Sequence, residues 1–344
     1  MVYVVYVAHA WLENYLTNRQ QFVQFNDTVS RPLRIECGVP QGSVLGPLLF
    51  VLYINDIINC SALLQLILFA DDTNIFYSCS DLSQLFDNVN SELCKLSHWF
   101  RANRLSLNLN KTKFIMFGHK NRAVNFDQLK LTIDDVNIER VSCTKFLGVY
   151  LDDKLKWTQH IDYIALKVAK GVGMIFKVRN ILPAKALLSL YYTLIYPHLS
   201  YCCIVWGSAS ATALYHLNLL HKRALRLVTH SDYLSHTNPL FIRLSLLKIN
   251  DINRLQIAMF IFKVRYNLLP TACLQFCPTV HVRSRLTRNN DYFNMSHSRT
   301  ITRDNAISVS GPRLWSSLPA EVQTCTSISI FKRKVSALFR SHYY

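Results

Sequence analysis

Two adjacent acids, Asp71 and Asp72, are the residues of this chain whose type and spacing are best suited to chemistry. They close the stretch Phe69–Asp72, which lies between apolar runs at 63–68 and 73–77. This pattern predicts a strand, a tight turn and a second strand. Neighbouring carboxylates repel each other, so a cation is expected beside them, and Mg²⁺ prefers carboxylate oxygens together with substrate phosphates. An aspartate-rich turn that binds no metal is the alternative interpretation.

A loop of small and conformationally restricted residues precedes this hairpin. Gly38, Pro40 and Gly42 keep the loop tight, and their small or fixed backbones allow a ligand to approach closely. Ser43 is a suitable N-cap for a following helix. The apolar face of that helix, at helical spacing, consists of Leu45, Leu48, Leu49 and Leu52. The sequence therefore predicts a ligand-facing loop and then a helix.

Periodicity and turn residues predict the other elements of the first 155 residues. They are a helix ending in Trp11–Arg19, a hairpin of Gln20–Phe25 and Arg34–Cys37 joined through Asn26 and Asp27, a helix at Asp81–Ala102, strands at Lys113–Gly118 and Lys145–Tyr150, and a hairpin at Leu131–Ile138. The last hairpin turns at a second acidic pair, Asp134 and Asp135. Because this pair lacks the apolar strands of the first, we interpret it as a solvated turn.

The positive charge of the chain is concentrated in its second half. Residues 1–155 hold 14 Lys and Arg against 15 Asp and Glu, whereas residues 156–344 hold 24 against 6. The net charge of +17 therefore comes from the second half, which attracts polyanions by Coulomb steering and counterion release. A basic surface that only confers solubility is the alternative, but an asymmetry this large favours a nucleic-acid partner.

Amphipathic helices carry part of this charge. Helices are predicted over 161–177, 184–194 and 211–228. Their basic side chains would suit phosphate contacts, and each would equally suit a solvated helix face. These side chains belong to Lys167, Lys170, Lys177, Lys222, Arg223 and Arg226.

Four motifs, in this order, resemble the palm of reverse transcriptases from non-LTR (LINE-type, jockey-like) retrotransposons. They are the loop and helix at 38–50, Phe69–Asp72, Asn103–Lys113 and Phe146–Gly148. The resemblance covers most of the chain and implies an α+β fold in which an antiparallel palm sheet packs on helices. It divides the chain into a partial palm at 1–155, a mostly helical, thumb-like region at 156–235 and a basic C-terminal region at 236–344.

The resemblance also implies roles for the site residues. Asp71 would be the principal ligand and Asp72 the supporting ligand of two Mg²⁺ ions, or of Mn²⁺. Lys111 would contact or protonate the departing pyrophosphate, although a lysine at a strand edge is usually solvated. The residues beside the nucleotide and template would be Gly38, Pro40, Gln41, Gly42, Ser43, Phe69 and Ala70, and the primer grip would be Phe146, Leu147 and Gly148.

Reverse transcriptases of this kind have a third aspartate on an earlier strand. The acids ahead of Gly38 are Glu13, Asp27 and Glu36, and their neighbours match the linker and hairpin of the family. We therefore expect the third aspartate, the fingers subdomain and an endonuclease domain upstream of Met1. On this interpretation the chain is truncated at its N-terminus.

The sequence thus predicts a fragment of an RNA-directed DNA polymerase that extends a DNA primer on an RNA template with deoxynucleoside triphosphates (dNTP). A catalytically inactive RNA- or DNA-binding remnant of such an element is the alternative. Apolar runs too short for a bilayer and ten scattered cysteines predict neither a membrane nor a disulfide-linked partner. We expect an intracellular protein of the nucleus and cytoplasm that is not secreted. Zinc is not expected at Cys273, Cys277 and His281, because no His-Cys pair follows them.

Overall fold

The computed structural model describes residues 2–36, 38–40, 42–118, 129–271, 293 and 298–344. The chain divides into two units. Unit 1 consists of residues 1–114 and 121–139, and unit 2 consists of residues 115–120 and 140–344. The domain boundaries near residues 155 and 235 stay predictions.

In the residues that the structure describes, unit 1 combines helices with short strands. Its helices are α1 (Val2–Leu16), α2 (Leu45–Ile54) and α3 (Leu82–Ala102), and a 3₁₀ helix (Asn55–Cys60) follows α2. Its strands are β1 (Gln20–Gln21), β2 (Gln24–Phe25), β3 (Thr28–Val29), β4 (Leu33–Arg34), β5 (Gln65–Phe69), β6 (Asp72–Phe76), β7 (Lys113–Phe114), β8 (Thr132–Ile133) and β9 (Val136–Asn137). A further strand, β10 (Glu139–Arg140), begins at the last residue of this unit.

Unit 2 is mostly helical. Its strands are β11 (Cys143–Phe146) and β12 (Val149–Asp152). Its described helices are α4 (Thr158–Val178), α5 (Ala184–Leu194), α6 (Tyr196–Ser200), α7 (Cys203–Trp206), α8 (Ala211–Val228), α9 (Asn238–Arg243), α10 (Ile249–Arg265), α11 (Ile301–Asp304), α12 (Ile307–Ser316), α13 (Ala320–Gln323) and α14 (Ile328–Ser341).

The N-terminal hairpin of unit 1 differs from its prediction in one arm. Helix α1 ends at Leu16, within the predicted stretch, and Asn18 after it is left-handed (φ 54°), a conformation that terminates a helix. Strands β2 and β3 pair across a turn in which Asn26 is left-handed, and β1 pairs with β4 outside them. The returning arm therefore begins at Thr28 and not at Arg34, because a two-residue turn brings the next residue directly opposite the first arm.

Helix α3 confirms the longest predicted helix of unit 1 and organises its core. Its N-cap is Asp81, whose carboxylate accepts a hydrogen bond from the backbone N–H of Gln84 at 2.8 Å. The 3₁₀ helix and β8 pack against α3. The buried apolar side chains of α3 are those of Phe86, Val89, Leu93, Leu96 and Phe100.

The second acidic pair forms an exposed turn, as predicted, and one of its carboxylates also contacts α3. Asp134 and Asp135 are both left-handed between β8 and β9. The Asp134 carboxylate accepts a hydrogen bond from the Ser97 hydroxyl at 2.7 Å and forms an ion pair with Arg101 at 2.9 Å. The Ser97 hydrogen bond, followed by the Arg101 charge, lowers the pKa of Asp134. The predicted solvated turn is confirmed, and its contact with Ser97 and Arg101, which lie one turn apart on α3, is a feature that the sequence did not indicate.

Two predicted strands differ from the structure: one is shorter than predicted, and the other bends into a hairpin. Strand β7 covers only the first two residues of the prediction Lys113–Gly118, and Gly118 itself is left-handed (φ 92°). The strand predicted over Lys145–Tyr150 is a hairpin, in which β11 pairs antiparallel with β12. The reason is backbone conformation, since Leu147 (φ 44°) and Gly148 (φ 85°) are both left-handed and form the turn.

Helix α2 presents apolar side chains to solvent. Ser43 confirms its predicted capping role, because its hydroxyl accepts a hydrogen bond from the Gly46 N–H at 3.0 Å. Ile54 is buried at the end of the helix, whereas Leu48 and Leu52 from the predicted apolar face are 57% and 65% exposed. A helix that is apolar on every side usually lies in a protein interior. The described residues therefore leave part of the apolar surface of α2 uncovered.

Unit 2 encloses a hydrophobic core between its helices. Helix α4 packs along α8, and α10 packs on α12 and α14. The core extends from Val149 in β12 to Tyr343 near the C-terminus, so the helices on both sides of residue 235 share it. Its largest fully buried side chains include Trp206, Trp315, Tyr191, Phe241, Phe262 and Phe331.

The mixture of helices and antiparallel hairpins confirms the predicted α+β class. The described strands pair two at a time. The single palm sheet that the resemblance implies therefore belongs with the proposals below. Within the described ranges, no helix combines the length and the apolar character that crossing a membrane requires.

Candidate active site

The carboxylate pair lies at the tip of the β5–β6 hairpin, where the sequence predicted it. The antiparallel ladder closes with Phe69 opposite Asp72. Ala70 and Asp71 therefore form a two-residue turn, and both aspartates are exposed. The hairpin thus brings together the four residues of the predicted motif.

The turn is held in a strained backbone conformation at Ala70. Its φ of 51° lies in the left-handed region that favours glycine, where a side chain with a Cβ costs about 1–2 kcal/mol. The paired strands on both sides maintain this conformation. Asp71 and Asp72 are consequently presented at a fixed place on the hairpin.

Neither aspartate is used in the packing of the protein. Among the described residues, no hydrogen bond or ion pair engages the carboxylate of Asp71 or Asp72. In contrast, Asp134 is held by α3, and Asp152 accepts the backbone N–H of Trp157 at 2.8 Å. Two adjacent carboxylates without a protein cation are hard oxygen donors, so the pair fits a divalent cation.

This donor set suits a cation that keeps part of its hydration shell. Over the ranges that the structure describes, no group of three or more His, Cys, Asp or Glu side chains is placed to hold a metal. Mg²⁺ is usually bound by one or two carboxylates together with waters and substrate phosphates, so this pair suits one such ion. The residues considered for zinc, Cys273, Cys277 and His281, lie outside the described residues.

The loop ahead of α2 contains two left-handed glycines, Gly38 (φ 83°) and Gly42 (φ 82°). A Cβ on either residue would meet no atom within 4 Å, so backbone conformation requires glycine here and crowding does not. The Ser43 N–H donates to the Pro40 carbonyl at 3.2 Å and tightens the loop. Gln41, which was predicted to lie beside the nucleotide and template, lies outside the described residues.

Lys111 lies in a turn that Asn108 stabilises. The Lys111 N–H donates to the backbone oxygen and to Oδ1 of Asn108, at 3.1 and 3.2 Å, and its side chain is exposed. In the described part of the chain, no hydrogen bond or ion pair joins Lys111 or the 38–43 loop to Asp71 or Asp72. The structure therefore brings the two acids together without linking them to the lysine or the loop.

In unit 2, the predicted primer grip is the tip of the β11–β12 hairpin. Tyr201, which directly follows α6, contacts this tip. Its hydroxyl donates to the Leu147 carbonyl at 2.6 Å, and a Cβ on Gly148 would lie 3.3 Å from its ring atom Cε1. No pattern in the sequence indicated Tyr201, because its partner lies 54 residues away along the chain.

Helix α4 presents the three predicted lysines to solvent. Lys167, Lys170 and Lys177 are exposed, and their spacing places them on one face. Lys145 from β11 and Lys167 each place Nζ 5.5 Å from the centroid of the Tyr163 ring. The sequence interpretation missed Tyr163, although Tyr163 and Lys167 have the i, i+4 spacing of neighbours on a helix.

The predicted basic residues of α8 differ in how much of each side chain is available to contact a phosphate. Arg223 is exposed and Lys222 is half-buried. The Nε of Arg226 donates to the Ser235 carbonyl at 2.9 Å, and its guanidinium lies 5.9 Å from the centroid of the Tyr233 ring. Arg226 therefore fixes the loop after α8, and only its other N–H groups are available for a phosphate.

Residues 4–151 match the family model for reverse transcriptase (RNA-dependent DNA polymerase). Over 248 residues the chain is 28% identical to the probable RNA-directed DNA polymerase from transposon X-element of Drosophila melanogaster, which covers 70% of this chain and 27% of that protein. Over 228 residues it is 27% identical to the RNA-directed DNA polymerase from mobile element jockey of Drosophila funebris, covering 63% of this chain and 24% of that protein.

A third relative is the retrovirus-related Pol polyprotein from type-1 retrotransposable element R1 2 of Nasonia vitripennis, 28% identical over 180 residues, which are 49% of this chain and 43% of that protein. The chain thus spans about a quarter of the length of the two Drosophila relatives. No solved structure matches it significantly. Reverse transcriptases generally use divalent metals, in agreement with the donors at the β5–β6 turn. Residues 4–151 are therefore similar to the reverse transcriptase domain of non-LTR, LINE-type retrotransposons.

Proposed function

We propose that this chain is part of an RNA-directed DNA polymerase that extends a DNA primer on an RNA template. The observation that carries the proposal is the carboxylate pair at the β5–β6 turn. The pair is exposed, has no protein partner among the described residues, and lies within the segment that matches reverse transcriptases. The two Drosophila relatives named above are RNA-directed DNA polymerases of mobile elements, which supports the same activity here.

In the proposed site, Asp71 is the principal ligand and Asp72 the supporting ligand of two Mg²⁺ or Mn²⁺ ions. Such ions, when bound, activate the primer 3′ oxygen and neutralise the charge of the triphosphate. The turn holds both carboxylates in place before the nucleotide arrives, so little reorganisation is needed when it binds. Lys111 contacts the departing pyrophosphate.

The nucleotide and template occupy the surface beside the 38–43 loop and the hairpin tip. Gly38 and Gly42 support this placement, because space is open where their side chains would be. Phe69 lies opposite Asp72 on the same face of the hairpin and is 60% exposed, so its ring offers an apolar surface next to the metal ligand.

Unit 2 binds the primer–template duplex in this proposal. The exposed lysines of α4 and Arg223 of α8 contact phosphates, and the β11–β12 tip contacts the primer. The palm then corresponds to 1–155, the thumb to 156–235 and the basic C-terminal region to 236–344. We further propose that the protein acts in the nucleus, where a genomic DNA primer is available.

Primer extension on an RNA template with Mg²⁺ and dNTP tests the proposed function. The chain is compared with D71N/D72N and with D27N, a matched control at another exposed turn of unit 1. Each form is also produced with any sequence that reads in frame upstream of Met1. We expect the wild type and D27N to extend the primer and D71N/D72N to lose at least about 100-fold in rate. Extension that persists in D71N/D72N, or a wild type that binds the duplex without extending it, would overturn the proposal.

A further inference from the structure

Tyr201 has a well-fixed backbone and a side chain that does not belong to the core. Its carbonyl accepts a hydrogen bond at 2.8 Å from Nε1 of Trp206, which is fully buried. The preceding carbonyl, that of Ser200, accepts a hydrogen bond from Gln256 of α10. Yet the Tyr201 side chain is 53% exposed, so burial of its ring contributes little to packing. A tyrosine with a fixed backbone and an exposed ring is suited to hold a neighbouring segment in place.

The group that Tyr201 holds is the tip of the β11–β12 hairpin. Leu147 is left-handed, a conformation that is unfavourable for a leucine, and its carbonyl oxygen receives the Tyr201 hydroxyl at 2.6 Å. The Tyr201 ring packs against Gly148, with its Cε1 3.3 Å from the place of a Cβ. One side chain thus fixes both residues of the turn, by a hydrogen bond to the first and a contact with the second.

The surface next to this turn is cationic. Lys145 precedes the turn in β11 and shares the Tyr163 ring with Lys167 of α4. Neither lysine forms an ion pair within the described residues. The charge of Lys167, after the effect of burial, also lowers the pKa of His198, which places this histidine in the same cationic surroundings. A polyanionic strand is therefore the ligand whose charge complements this surface.

We propose that Tyr201 is a positioning residue for the primer strand. Through its hydrogen bond to Leu147 and its contact with Gly148, it holds the turn in the conformation that receives the primer backbone near the 3′ end. This inference rests on the proposed function and adds to it a residue outside the segment that matches reverse transcriptases. Tyr201 acts through the turn and does not touch the reacting atoms.

The test compares two RNA–DNA duplexes of equal length, one with a recessed primer 3′ end and one with blunt ends. Binding is measured by fluorescence anisotropy for the wild type, Y201F and Y215F. Y201F keeps the ring and removes the hydrogen bond, and Y215F is the matched control, because Tyr215 on α8 is 65% exposed. We expect Y201F to weaken binding of the recessed duplex about fivefold. Its affinity for the blunt duplex and its thermal unfolding midpoint should match those of Y215F.

A merely structural role for Tyr201 predicts a different result, in which both duplexes and the unfolding midpoint change together. If Y201F is less stable, binding is measured again at a temperature at which the wild type and Y201F are both fully folded. Equal binding of the recessed duplex by the wild type and Y201F would overturn this inference alone. A wild-type chain that binds neither duplex would overturn the proposed function and this inference with it.

Discussion

The hydroxyl of Tyr191 lies 2.8 Å from Nε2 of His221 in the core of unit 2, and the two rings stack with centroids 5.8 Å apart. Burial lowers the pKa of His221 to about 3. A second buried histidine, His160, accepts the Tyr150 N–H on Nδ1 at 3.3 Å, and burial lowers its pKa to about 4. Both histidines are therefore neutral in the folded protein at pH 7.

We expect unit 2 to lose stability as the pH falls from 7 to 5. A histidine of the unfolded chain has a pKa near 6.5, above the folded values of His221 and His160, so the unfolded state binds more protons in this range. At pH 5 the loss is about 2 kcal/mol for each histidine. Urea unfolding at both pH values measures it. H221Q should depend less on pH than the wild type, and an equal dependence would contradict the assignment of His221.

The two acidic pairs of unit 1 should respond differently to substitution. D134N weakens the hydrogen bond from Ser97 and the ion pair with Arg101, so we expect a lower thermal unfolding midpoint. D71N/D72N removes only like-charge repulsion, so its midpoint should be unchanged or raised. Circular dichroism with and without Mg²⁺ measures both effects. Mg²⁺ should raise the unfolding midpoint of the wild type and leave that of D71N/D72N unchanged. A midpoint of D71N/D72N that rises with Mg²⁺, while that of the wild type does not, would refute these roles.

The two hairpin tips allow a reciprocal test of backbone strain. Ala70 is left-handed without being glycine, so A70G should stabilise unit 1 by up to about 1 kcal/mol. Gly148 is left-handed and also faces the Tyr201 ring, so G148A should destabilise unit 2 by at least about 1 kcal/mol. Denaturant unfolding measures both changes. A destabilising A70G would show that the turn does not carry the strain described.

The lysines of α4 should contribute to the salt dependence of duplex binding. The positions to replace by glutamine are Lys167, Lys170 and Lys177. Removing one lysine–phosphate interaction reduces the slope of log K against log salt by about 0.9, so the slope of the triple variant should fall by up to about 2.7. A charge-matched control replaces three other exposed residues of unit 2, namely Lys185, Lys332 and Arg333. Equal slopes for the variant and the control would mean that only net charge matters.

The sequence predicted those features that depend on short-range pattern. The helix at α3 and the β5–β6 turn were both confirmed, because periodicity and turn residues determine them locally. The position of Asp71 and Asp72 at the turn followed from the same local pattern.

The features that the sequence could not provide depend on contacts between distant residues. The contacts of Asp134 were not predicted, because Ser97 and Arg101 lie more than 30 residues away. The bend at Leu147 and Gly148 was interpreted as a strand because Tyr201, which holds it, belongs to a later helical segment. Such long-range contacts leave no periodic signal in the chain.

Locating the bound divalent metal shows whether Asp71 and Asp72 hold the metal of a polymerase site. Fe²⁺ replaces Mg²⁺ in the presence of primer, template and dNTP, and ascorbate with peroxide then cleaves the backbone near the bound iron. Mass spectrometry locates the cuts. We expect cuts flanking residues 69–73 that excess Mg²⁺ suppresses and that D71N/D72N lacks. Cuts that occur only elsewhere in the chain, or cuts at this segment that persist in D71N/D72N, would contradict metal binding by the two aspartates.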